Sequence, residues 1–206
     1  MKIIPSIPFV LFFIIANFPF TIPSAFYAET DSLAVEKIKE KRLEKEEREL
    51  KKKEQCISLT NEETAALVAN DWENLDRLAK AYAVECKGVF DAQWLSGAHE
   101  NIAIANNAQG KFKYALAASD VCAKTYYGNP GCHIQKSRAL IALGRKAEAE
   151  KSLEISEKLA RHALEGAHRD LNQARSELDK ELHTSSVARS EGYLNLIESM
   201  RTNLAQ

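Results

Sequence analysis

The stretch "NAQGKFKYALAAS" (residues 107–119) holds one glycine, Gly110, between helix-forming residues and ahead of an aromatic, an alanine and further small residues. A second stretch, "IALGRKAEAEKSL" (residues 141–153), sets Gly144 in much the same company further along the chain. A glycine so placed supplies the left-handed backbone that ends one helix and admits the next. Two such turns in matching surroundings predict successive helical hairpins.

The surroundings extend this pattern in both directions. Before Gly110, "AQWLSGAHENIAIANNA" puts Trp94, Leu95, Ala98, Ile102 and Ala105 on one helical side. Earlier still, "DWENLDRLAKAYAVEC" has a stripe of Trp72, Leu75, Leu78, Ala79, Tyr82 and Ala83, and "SLTNEETAALVAN" offers Thr60 and Glu63 as a capping box at a helix start. These predict a hairpin joined at Asn70 and Asp71. "GNPG" (128–131) is a break, after which a third hairpin begins at Cys132, turns at Gly144 and runs into one long helix to about His183, with Thr184 to Ser186 marking the next break.

On these residues the chain resembles the tetratricopeptide (TPR) family. Residues 96–129 and 130–163 resemble two such repeats. The interval from Gly110 to Gly144 matches the family's period of about 34 residues. "AQGKFKYAL" and "ALGRKAEAE" resemble its inter-helix turn followed by an alanine, here Ala115 and Ala149. Ala103 and Ser137 are small where the paired helices would cross, and "LVANDWENL" resembles the same turn one hairpin earlier. His99 and His133 stand where the family favours a large aromatic, and neither second helix ends in proline. The resemblance implies an all-α solenoid of hairpins that binds another protein or peptide along its first helices. Glu100, Ile104 and Asn107, then Ile134, Arg138 and Ile141, are the groove positions it implies.

Composition agrees with a helical, non-nucleic-acid chain. Lys and Arg number 28 against 29 acids, so no basic surface for a phosphate backbone is expected, and 8 glycines with 5 prolines leave a long body free of breakers. Lys2, an apolar run from about Ile7 to Ile22 and small residues to Ala28 read as a signal peptide, and the competing reading is an uncleaved anchor. The domain expectation is a signal peptide over 1–28, a charged helical arm over 29–55, TPR-like repeats over 56–165 and C-terminal capping helices over 166–206. The arm, rich in Glu–Lys and Glu–Arg pairs at i,i+4, reads as a solvated helix. Leu164, Leu171 and Leu178, seven apart, suit either a capping helix or a coiled-coil contact with another copy.

Export makes disulfides the natural use of four cysteines. An antiparallel hairpin would bring Cys56 to Cys86, and Cys122 and Cys132 would meet across the turn they flank. Chain entropy predicts about 3.6 kcal/mol of stabilisation from the first loop and about 2.7 kcal/mol from the second.

Chemistry is sparse. His162, Glu165 and His168 lie at i, i+3 and i+6, but a di-iron bundle needs the Glu-x-x-His pair on two helices, and His99, His133 and His183 supply no second copy. No phosphate loop, nucleophile elbow or C-x-x-C pair occurs. The expectation is a non-enzyme with no catalytic residue, metal or cofactor: an exported adaptor, periplasmic or secreted, holding part of a bacterial envelope or secretion assembly, with a membrane touched only through an uncleaved N-terminus. A small metal-dependent helical enzyme and a structural spacer are the alternatives.

Overall fold

The structure, a computed structural model, describes residues 25–205, and their side chains from residue 35. The segment read as a signal peptide lies outside these residues except for its last four. Among the described residues there are seven helices and no strand: α1 (Ala25–Val68), α2 (Trp72–Glu85), α3 (Ala92–Ala108), α4 (Phe112–Thr125), α5 (Pro130–Ala142), α6 (Lys146–Gln173) and α7 (Glu177–Ala205).

The chain forms two compact units, Met1–Glu47 and Arg48–Gln206. In the first, Val35, Ile38 and Leu43 are exposed and Arg42 donates to Glu46 one turn on (2.8 Å), which is the solvated helix the charge pattern predicts. All further description concerns the second unit.

Three inter-helix turns have one geometry. Gly110 and Gly144 take positive φ (72° and 75°), and Asn70 takes the same place with φ 55°. In each turn the positive-φ residue donates to the carbonyl three back and the next residue to the carbonyl five back: Lys111 to Asn106, Arg145 to Leu140 and Asp71 to Ala66 (2.8, 2.8 and 2.9 Å). This is the Schellman closure, and asparagine is the side chain that tolerates it best after glycine. Successive helices pack in antiparallel pairs, and the first helices α3 and α5 also meet each other. Ala103, Ser137, Ala115 and Ala149 are all fully buried, so the backbones approach closely at the crossings.

Two boundaries differ from the sequence reading. No helix begins at Thr60; α1 runs through it, its hydroxyl donates back to the Cys56 carbonyl (3.1 Å), and Glu63, the expected cap, is buried and accepts from Asn101 Nδ2 on α3 (2.6 Å). The long helix also ends at Gln173, before His183, and Thr184 to Ser186 lie inside α7, where Ser185 and Ser186 donate to the Leu182 carbonyl. Ser176 starts α7 by accepting from the Asp179 N–H (3.1 Å), a Ser-x-x-Asp cap that the sequence carries without any glycine to announce it.

Beyond the repeats, α7 folds back along α6 and reaches α5. Ile197 and Met200 of α7 close a core with Ile134 and Leu153. Arg201 fastens α7 to α6, donating to Glu150 (2.8 Å) and Glu157 (2.5 Å). The structure pairs Cys56 with Cys86 and Cys122 with Cys132, with Cα–Cα separations of 5.7 and 5.5 Å. The first links α1 to the end of α2, and the second links one repeat to the next.

Candidate binding face

Four of the six groove residues point into cavities, in two separate places. Ile104 and Asn107 near the end of α3 line one cleft together with Arg138 of α5, Trp72 at the start of α2, and Ala108 and Phe112 across the Gly110 turn; its volume is about 290 Å³. Asn107 Nδ2 donates to the Gln135 carbonyl and side-chain oxygens (3.0 and 3.2 Å), which joins α3 to α5, while its Oδ1 is buried and unpartnered. Arg138 is exposed, and no acid pairs with it among the described residues; the cleft walls still desolvate its guanidinium in part, which lowers its pKa. The cleft therefore offers a mainly apolar wall and one cation.

Glu100 belongs elsewhere. It lines a second cavity of about 270 Å³ between the N-terminal half of α3, the 126–130 turn, α6 and α7. Its carboxylate accepts from Asn129 Nδ2 (3.0 Å) and from the Tyr193 hydroxyl (3.4 Å), and it lies so close over Gly131 that a β-carbon there would collide with it. Burial raises the Glu100 pKa above the ordinary carboxylate range, against the opposing pull of those two donors and of Arg189. Burial likewise drives the Tyr193 hydroxyl upward, with the neighbouring Glu100 charge adding to it.

The remaining two depart from the sequence reading. Ile134, expected on the groove, is fully buried (0%), because α7 lies over that side of α5; Ile141 is half-buried against the same cluster. Trp94, expected inside, is half-exposed and rests on Phe90 (ring centroids 5.4 Å apart).

The histidines divide by environment. His133 sits inside α5 with both ring nitrogens unpartnered, edge-on to Tyr127 (5.6 Å), and burial, helped by Lys136, lowers its pKa, favouring the neutral ring. Burial also lowers the His99 pKa. His162, Glu165 and His168 all lie on α6, and no cluster of metal-ligating side chains occurs among the described residues.

Trp72, Phe112, Asn129, Arg189 and Tyr193 were absent from the sequence's set of site residues. Trp72 and Phe112 share a signal that could have found them: each opens the helix after a Schellman turn, so it stands beside the preceding helix end. Asn129, Arg189 and Tyr193 carry no such signal, since their place depends on how α7 returns.

No protein-family model and no curated protein matches the chain. Solved structures similar to it include the following two. One is SycD, the type III secretion translocator chaperone of Yersinia enterocolitica, with 18% identity, a TM-score of 0.47, and coverage of 72% of this chain and 95% of that one. The other is PcrH in complex with the chaperone-binding region of PopB, with 14% identity, the same TM-score of 0.47, and coverage of 68% and 94%. The periplasmic or secreted address of the sequence reading is withdrawn, since the similar structures belong to type III secretion translocator chaperoning and lend it no support. That address rested on residues 1–28, of which all but the last four lie outside the described residues.

Proposed function

We propose that the protein is a non-enzymatic adaptor that holds a segment of another protein against the cleft of Ile104, Asn107 and Arg138. One observation carries this reading: Arg138 stands exposed, with no acid paired to it among the described residues, beside an apolar wall of Trp72, Ile104, Ala108 and Phe112. A long cation on such a rim does little for the fold, but it can meet an acidic group of a partner whose apolar side chain fills the cleft. Proteins of secretion machinery are the partner class to screen.

The test is capture of such a partner by wild type and by Arg138→Glu. The variant is expected to keep its melting temperature and to lose binding by at least about tenfold, since central arginine anchors commonly contribute about 2 kcal/mol or more. Equal capture would move the binding surface elsewhere.

A further inference from the structure

The second cavity has a different chemistry. At its base lies the Glu100 carboxylate, and Arg189 of α7 also lines it, yet no ion pair joins the two. Glu100 holds only two neutral donors, Asn129 and Tyr193, although a carboxylate offers about four acceptor positions. Each oxygen keeps a free lone pair, so the anion is enclosed without a full counter-charge. Small residues make the room: Gly97 of α3, Ala163 of α6, and Ser186 and Ser190 of α7. Gly128 lets the Tyr126 ring fold over the turn as a wall, since a β-carbon there would strike the ring.

The volume of about 270 Å³ falls below the roughly 300–1,000 Å³ usual for small-molecule sites, and suits one long side chain. Each Glu100 oxygen already accepts one hydrogen bond, which leaves a compact ammonium better served than a planar guanidinium fork. We propose that this pocket receives a lysine side chain of a bound protein segment, with its ammonium on Glu100 and an acidic neighbour of that lysine on Arg189. The proposal rests on the reading of the chain as a protein-binding module, but it concerns a cavity separate from that of Arg138. The raised Glu100 pKa has the same origin, an enclosed carboxylate lacking a cation.

The test titrates the full-length isotope-labelled protein with capped Lys-Glu dipeptide amide and follows the backbone amides of Gly97, Gly128, Ser186 and Ser190. The same peptide with norleucine or acetyl-lysine in place of lysine removes the charge, leaving the protein untouched. The expected result is movement of those four amides at millimolar Lys-Glu, with affinity at least about tenfold weaker for both neutral analogues. Arg189→Ala should weaken Lys-Glu and not Lys-Gln. Equal binding of the norleucine peptide, or no movement of these amides, overturns the proposal.

Arg138→Glu should leave this titration unchanged. If partner capture also survives Arg138→Glu, the Arg138 cleft reading fails while the lysine pocket stands. If the four amides ignore the ammonium while Arg138→Glu abolishes capture, the pocket fails alone.

Discussion

Helices α3 and α5 are equivalent by sequence and unequal in the molecule. Moving along by one repeat carries Glu100 to Ile134, Ile104 to Arg138, and Asn107 to Ile141, and both helices end in the same glycine turn. Yet the Ile104 end of α3 stays open to a cleft, while α7 seals much of α5 under Ile197 and Met200. Repeat arithmetic fixes which residues are equivalent; the next helix in the stack decides which of them remain available.

The largest test of that contrast is truncation at the two sites. Ile134→Ala should destabilise by about 3–4 kcal/mol, because a fully buried isoleucine leaves a cavity, whereas Ile104→Ala, half-buried at an open cleft, should cost about 1 kcal/mol. Urea unfolding measures both, and equal losses would mean that α7 does not seal α5.

The tie between the two repeats comes next. Replacing Cys122 and Cys132 together by serine should cost about 2.7 kcal/mol, against about 3.6 kcal/mol for Cys56 with Cys86, read as shifts of the oxidised protein's urea midpoint. A larger loss from the Cys122–Cys132 pair would mean that the inter-repeat link orders more than its own short loop. It has the neighbours to do so, since Ser96 Oγ lies against both sulfurs and accepts from the same Asn129 that reaches Glu100.

A smaller difference is expected at the helix crossings. Ser137 donates to the Ala149 carbonyl (2.9 Å) where the equivalent residue of α3 is Ala103, so Ser137→Ala should cost about 1 kcal/mol. No change in the urea midpoint would make the two crossings alike.

Glu63 gives the smallest effect, and it carries a sign. Burial raises its pKa against the bond from Asn101, with Tyr82 close enough to feel its charge. Stability from this group is full below the ordinary glutamate value and is lost as pH rises through the raised native value. Glu63→Gln should therefore exceed wild type in stability at about pH 7, and the two should converge below about pH 4, as read by urea unfolding at each pH. A gap that widens in acid would reverse the sign.

Much of the fold is legible because its cues are local. The stripe of Leu75, Leu78, Ala79 and Tyr82 is buried as its period requires, and the turn at Asn70 and Asp71 falls where the residues change character. The misreadings came where a local motif had a competitor: Thr60 and Glu63 form a capping pattern, but an uninterrupted α1 satisfies the same backbone groups within its own helix and frees Glu63 to meet α3. At Ser176 the cap was present and went unread because no glycine or proline marked the break. The site was half legible. Ile104, Asn107 and Arg138 line one cleft, whereas Ile134 is buried and Glu100 lies in a second cavity because both depend on α7.

By itself the sequence determined an all-helical chain, the three Schellman turns and the two cysteine partnerships favoured by hairpins. Each follows from periodicity or from a backbone preference within a few residues. Only the tertiary structure decided which outward positions stay open, because that depends on a return helix, α7, which meets α5 only after the whole of α6 has intervened. Long-range burial of this kind leaves no local signal: nothing in the residues around Ile134 announces that Ile197 and Met200 of α7 will cover it, while Ile104 is left half-buried at an open cleft.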